Sequence, residues 1–190
     1  MSSSRSERTR AALVAAALDL FEERGYDATT AADVAAAAGV TEMTFFRHFP
    51  SKAAILLDDP YDPLIADAVA ATPDRWPPLV RVAEGLRTSF ATLAEGLDAA
   101  ALAQMRRRLR IAAATPSLRP AVLAGTATTS AAVADRLAAA GVDPVHARIV
   151  STAVLAGVTE ALLSWAADPV VHGDLATPLG TACDLLSVRP

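Results

Sequence analysis

Thr29–Lys52 reads T-T-A-A-D-V-A-A-A-A-G-V-T-E-M-T-F-F-R-H-F-P-S-K. Thr30 opens a T-A-A-D pattern in which the hydroxyl accepts from the Asp33 amide, a capping box with aspartate in place of the usual glutamate. A helix over Ala31–Ala38 follows and ends at Gly39, a residue type suited to the left-handed position after a helix. Thr41 caps a second helix, Glu42–Phe49, and Pro50-Ser51 punctuates before a third from Lys52 to about Asp58. Two short helices joined by a tight turn at Gly39-Val40 need a small residue where they cross, and Ala35 supplies it. Val40 plugs the core just after the turn, and Val34, Phe45 and Phe49 complete it. The second helix is then presented outward, on the scale of a DNA major groove roughly 12 Å wide.

Upstream, a helix from about Ser6 to Arg24 places Leu13, Ala17, Leu20 and Phe21 on one face and stops at Gly25. Arg5, Arg8 and Arg10 before the apolar stretch Ala11–Leu18 superficially resemble the start of a secretory signal. Asp19 ends that stretch after eight residues, and Glu22-Glu23 follow. No run reaches the roughly 18 consecutive apolar residues of a membrane span. The expectation is a soluble, unprocessed, cytoplasmic protein that does not engage a membrane.

The composition points the same way. Of 190 residues 45 are alanine and only 5% are aromatic, which favours helices and leaves little strand-forming material. The chain is long enough for one domain or two small ones. The fold class expected is all-α. Net charge is −4, and sixteen of the seventeen cations are arginine, Lys52 being the exception. A single cysteine, Cys183, forbids an intramolecular disulfide. With only three histidines beside it, a metal site would rest largely on carboxylates, so neither metal nor cofactor is expected. Residues 1–52 hold six cations and seven anions, so no basic footprint marks them as a nucleic-acid surface.

The resemblance carried by the motif is more specific. Gly25-Tyr26, Thr29-Thr30, Ala38-Gly39-Val40, Thr44-Phe45-Phe46-Arg47-His48-Phe49 and Ser51-Lys52 agree in order and spacing with one pattern. About residues 6 to 66 therefore resemble the DNA-binding domain of the TetR family of transcriptional repressors, with the helix-turn-helix over 30–49. The resemblance implies that Thr30, Thr44, His48 and Lys52 contact phosphates and that Thr41, Glu42 and Met43 stand nearest the base edges. Glu42 would accept from a cytosine amino group, Met43 would meet a thymine methyl, and Arg47 would reach a phosphate or a guanine. Arg5, Arg8 and Arg10 are candidates for an arm along the backbone or minor groove. The family usually has a small residue at Met43 and tyrosine at Phe46. Phe46 cannot hydrogen-bond a phosphate and would pack against the sugar–phosphate backbone. Both departures bear on which operator is read.

Further along, helices are expected at Pro63–Ala71, about Trp76–Leu97, about Ala99–Ala114 and Ser117–Ala140, the last broken near Pro120 and Gly125. Asp143-Pro144 starts another that runs to Ala167, and a last helix covers about Asp174–Ser187, or starts at Pro178. The resemblance makes residues 67–190 a ligand-binding and dimerisation domain. Met105–Pro120, M-R-R-R-L-R-I-A-A-A-T-P-S-L-R-P, loosely resembles actinobacterial regulators related to the mycofactocin-system repressor, some of which sense acyl-coenzyme A compounds. Arg106, Arg107, Arg108 and Arg110 suit either an anionic ligand or a salt-bridged helix face. Trp76, Phe90, Met105, Leu109 and Val122 are candidate pocket residues, for a hydrophobic or amphipathic effector. Val154, Val158, Leu162 and Trp165, with Leu179 and Leu186 on the last helix, form the apolar stripes expected to make the dimer.

The function expected is a homodimeric repressor released from a palindromic double-stranded operator by a small effector. An enzyme is disfavoured: no nucleophile–base set, phosphate loop or HExxH stands in the sequence, leaving only scattered acids such as Asp58, Asp59 and Asp62. The alternative is a helical interaction module that keeps the helix-turn-helix as scaffold without sequence-specific DNA binding.

Overall fold

A computed structural model describes residues 2–57, 62–168 and 176–186. In order along the chain they form α1 (Ser2–Arg24), α2 (Ala31–Ala37), α3 (Glu42–His48), α4 (Ala54–Leu57), α5 (Asp62–Ala70) and α6 (Pro78–Gly96). Then come α7 (Ala99–Ala114), a 3-10 turn (Pro116–Leu118), α8 (Arg119–Ala139), α9 (Pro144–Ala167) and α10 (Ala176–Leu186). The all-α expectation holds, and no strand occurs among the described residues. Local signals fix the boundaries. Asp98 accepts from the Ala101 amide at 2.7 Å to start α7, and Asp143 from Val145 and His146 at 3.0 Å to start α9. α8 is unbroken through Gly125, because Pro120 sits in its first turn, where a missing N–H costs nothing. α1 begins earlier than the apolar periodicity suggests, so Arg5 is helical along with Arg8 and Arg10. Asp58, Asp59 and the stretches 169–175 and 187–190 lie outside the described residues.

Two apolar cores result. The first joins Leu13, Leu18 and Phe21 of α1 to Val34, Phe45, Phe49 and Ile55, and it takes in Ile111, Ala112 and Leu118 from farther along the chain. The second holds Ile65, Ala66 and Val69 of α5 with side chains of α6, α8, α9 and α10. α5 thus packs with the C-terminal part, although the resemblance carried the first domain to residue 66.

α9 is the central helix and contacts α6, α7, α8 and α10. Among the described residues it alone is long and apolar enough to cross a membrane, yet its stripe faces inward and builds the second core. Four of the six residues expected at the dimer interface are therefore core residues. Val154, Val158, Trp165 and Leu179 are buried within the monomer, and Leu162 is half-buried beside a cavity. Leu186 packs over Gly157, where a Cβ would lie 2.7 Å from its Cδ1. An apolar stripe has two possible customers, and here the neighbouring helices take it.

α5 and α6 cross at Gly85, where a Cβ would stand 2.5 Å from Val69 Cγ2 and 2.7 Å from Val69 Cα. Backbone cannot yield as a side-chain tip does. Gly85→Ala is expected to cost about 1–3 kcal/mol in denaturant unfolding. Gly96→Ala, with nothing within 4 Å of the added carbon, is the control and should leave stability unchanged or raise it.

Candidate nucleic-acid interface

The turn between α2 and α3 is closed by backbone hydrogen bonds. Gly39 N–H donates to Ala36 O at 3.1 Å and Val40 N–H to Ala35 O at 2.9 Å, the paired bonds of a Schellman motif. The motif requires the left-handed φ of +69° at Gly39. At its entry Thr30 caps α2 through a complete capping box with Asp33. Those bonds hold the Asp33 carboxyl below the ordinary carboxylate range. Thr41 caps α3, accepting from Thr44 N–H at 3.2 Å, and the two hydroxyls lie 3.0 Å apart. Phe45 and Phe49 are buried against α1 and lock the inner face of α3. The outer face then carries Glu42, Met43, Phe46 and Arg47, all exposed. Met43 is 83% accessible and Phe46 50%, exposures that burial alone would penalise and that suit contact with a partner.

Behind this face two cations act inside the domain. Lys52 Nζ donates to Tyr26 O and Thr29 O, both at 2.6 Å, and sits 3.9 Å from the centre of the Tyr26 ring. Burial lowers its pKa, with the nearby Asp27 charge opposing that shift. The ammonium thus staples the α1–α2 loop to the start of α4 and keeps at most one N–H for a phosphate. Arg10 donates to His48 O at 3.0 Å and lies 4.2 Å over the Phe49 ring, so it fastens α1 to the end of α3. Of the candidate arm, Arg5 and Arg8 remain on the surface. Nothing in the motif pattern signalled either staple, because both end on backbone carbonyls.

α7 connects this unit to the rest. Arg107 pairs with Asp19 at 2.7 Å and Glu22 at 2.6 Å, Arg110 pairs with Glu22 at 2.5 Å, and Ser117 donates to Asp27 at 2.6 Å. The Arg107 bond, then Arg110, hold Glu22 below its usual pKa. Arg106 turns the other way, to the carbonyls of Trp165 and Asp168 at the end of α9, and its guanidinium lies 5.0 Å from the Trp165 ring. The sequence offered a faint clue: acids on α1 and arginines on α7 share a three-residue spacing.

A cavity of about 190 Å³ opens on the neighbouring face of α7. Phe90, Met105, Leu109 and Val122 line it, as the sequence suggested. Trp76 does not; it lies in the α5–α6 connection, its amide bonded to Pro73 O. Among the described residues no group of three His, Cys, Asp or Glu is arranged to hold a metal ion.

An outward helix held by a Schellman turn and two staples, on an otherwise helical chain, defines a helix-turn-helix protein. Residues 13–58 match the family model of bacterial regulatory proteins, tetR family, and residues 80–189 match the MftR C-terminal domain. The second match alone spans more than half of the chain, and the chain belongs to the TetR family with an MftR-type C-terminal domain. It is 32% identical over 114 residues to the HTH-type transcriptional regulator TcmR of Streptomyces glaucescens, covering 58% of this chain and 50% of TcmR. The match thus spans half of that relative's length. Among solved structures, SmeT, the repressor of the Stenotrophomonas maltophilia multidrug efflux pump SmeDEF, superposes with a TM-score of 0.56 at 21% identity. That alignment covers 93% of this chain and 87% of SmeT. FadR of Thermus thermophilus, a TetR-family repressor in complex with lauroyl-CoA, gives 0.51 at 26% identity over 93% and 92%.

The staple and the exposed face separate by mutation. Lys52→Met should lower unfolding stability by about 1–3 kcal/mol, as expected when hydrogen bonds to a charged donor are lost. Arg47→Ala should leave the melting temperature unchanged and reduce the salt slope of DNA binding by about one phosphate contact. Calorimetric melts and anisotropy titrations at several salt concentrations check both.

Proposed function

We propose that this chain is a DNA-binding transcriptional regulator and not an enzyme, a cytoplasmic homodimeric repressor that a small effector releases from a palindromic operator. The observation that carries the reading is the rigidly backed, exposed face of α3 in a chain of the TetR family. Glu42, Met43 and Thr41 are the base-reading candidates, with Arg47, Phe46, Thr44, His48 and Thr30 toward the backbone. Thr30 and Thr41 have hydroxyls already engaged in caps, so their contribution is to fix the helix ends whose amides face a phosphate.

Two-fold symmetry lets two α3 helices read half-sites about one helical turn apart. The surface that supports a dimer is the outer side of α9 rather than its buried stripe. Ile149, Ala153 and Ala156 lie exposed there at helical spacing, and Leu185 is exposed on α10. Small residues on that row let two copies of α9 approach closely.

Effector control follows from the position of α7. One side of the helix borders the cavity through Met105, Leu109 and Ala112, and the other grips α1 through Arg107 and Arg110. A ligand that prefers one setting of α7 shifts the population toward the corresponding setting of α1 and α3. The domain division that accompanies this reading puts DNA contact in residues 6–66 and ligand and dimer contacts in 67–190, with the cavity lined from both cores.

Anisotropy titration with DNA from the gene's own upstream region, followed by selection from random DNA, tests the reading. We expect tight, salt-weakened binding that Arg47→Ala reduces. Ile149→Arg should give a monomer in ultracentrifugation with operator affinity lowered by more than about tenfold, since one half-site is lost. Failure of both titration and selection would leave the helix-turn-helix as scaffold.

A further inference from the structure

The cavity beside α7 is lined by leucines of both cores, Leu56 and Leu57 from the first and Leu109, Leu155 and Leu162 from the second. Among the described residues of the lining, the polar side chains are Arg108, Thr126, Thr129 and Thr159, and none is acidic. Each of the four is already engaged. Arg108 has an interaction of its own, so a carboxylate would compete for the guanidinium with the group already there. Thr129 donates to Gly125 O at 3.3 Å. Thr126 and Thr159 have the carbonyls of Val122 and Leu155 within reach, at 3.1 and 2.9 Å, and each other at 3.0 Å. A hydroxyl carries one proton and two acceptor lone pairs. Both protons of the pair are therefore used inside the wall, and what the pair still offers is lone pairs. The lining is apolar, and its threonine pair can accept a hydrogen bond but cannot donate one.

Resting on the regulator reading above, we infer that the cavity takes an uncharged, largely apolar molecule of about one ring, whose one polar group is a hydroxyl that donates to the Thr126–Thr159 pair. Other chemistries meet a specific cost. A carboxylate would give up its hydration for a lining whose arginine is already engaged, and burying a charge without a partner costs far more than burying a hydroxyl that has one. An ether, a ketone or a thioester brings only acceptors, and the paired hydroxyls have no proton left for them. A coenzyme A thioester belongs to that group, which sets this cavity apart from one built for the thioester. Size agrees: about 190 Å³, against the roughly 150 Å³ of an apolar cavity that admits benzene, is the scale of a single substituted ring. Entry is open at Gly125, exposed at the edge of the cavity with nothing within 4 Å of an added Cβ.

The test is calorimetric titration of the purified full chain, without DNA, with the isomers para-propylphenol and para-ethylanisole, with para-propylbenzoate and with octanoyl-coenzyme A. The phenol is expected to bind about three- to tenfold more tightly than the ether, the margin of one net hydrogen bond. It should bind at least about tenfold more tightly than the benzoate, and more tightly than the thioester. Thr126→Val combined with Thr159→Val should bring the phenol-to-ether ratio close to one while both isomers still bind, because the two hydroxyls leave together and neither is orphaned. Ala121→Leu enlarges a half-buried side chain of the lining and should weaken both isomers, which locates them in this cavity. Thermal melts establish that the variants fold. A benzoate or thioester that binds as tightly as the phenol, an ether that matches it, an unchanged ratio in the folded double variant, undiminished binding by a folded Ala121→Leu, or no binding of the phenol at all would each overturn the assignment. Operator titrations of the same preparations, without added ligand, report separately on the regulator reading. Loss of DNA binding with an intact preference for the phenol would sink that reading and spare the pocket.

Discussion

α7 bears on three parts of the molecule at once, and the arrangement depends on its arginines facing three directions. Arg107 and Arg110 bind the acids of α1, Arg106 closes the end of α9, and Arg108 borders the cavity. Single exposed ion pairs contribute little, usually below about 1 kcal/mol. The cluster on Glu22 is shared by two arginines, with Arg107 reaching Asp19 as well, and it lies beside apolar contacts. Ile111, Ala112 and Leu118 insert into the core of the DNA-binding unit, so the apolar contact supplies adhesion and the charges set register. The α7–α1 contact and the Arg10 staple thus form a continuous line of contacts from α7 to the end of α3.

The same economy governs the polar groups around the outward face of α3. The polar residues around α3 are committed to internal bonds: Thr30 and Thr41 to caps, Lys52 to two carbonyls, Arg10 to His48 O. What remains outward is a short face of four side chains, Glu42, Met43, Phe46 and Arg47. Such a face owes its affinity to few charges. Balanced charge over residues 1–52 is then compatible with DNA binding, provided that two copies act together and position rather than net charge brings each α3 to the groove.

Much of this was legible in the sequence where the physics is local. Thr30, Gly39, Thr41 and the Asp143-Pro144 pair fixed helix ends because caps act on adjacent amides. The order of Thr29-Thr30, Gly39-Val40 and Phe45–Phe49 revealed the helix-turn-helix. Where the outcome turned on which of two partners a side chain meets, the sequence was silent. α9 is apolar on several sides, so Val154 and Val158 read equally as core or interface, and only packing between α8 and α10 put them inside. Lys52 resembled a phosphate ligand, and nothing in the pattern showed that its ammonium also meets two loop carbonyls. Trp76 looked like a pocket residue by size and lies outside the cavity because the α5–α6 connection carries it away.

The central claim is that the cavity and the DNA-binding face are coupled through the α7–α1 contact, and it can be tested without any ligand. Gly125 lies exposed at the edge of the cavity, with nothing within 4 Å of an added Cβ, so Gly125→Leu sets a bulky apolar side chain at the cavity mouth. Operator affinity is measured for the native chain, Gly125→Leu, Glu22→Gln and the double variant. Coupling predicts that Gly125→Leu weakens operator binding by about tenfold in the native background, within the usual range of allosteric coupling, and that Glu22→Gln largely abolishes this effect. The same factor in both backgrounds, or no effect of Gly125→Leu in either, would contradict the account.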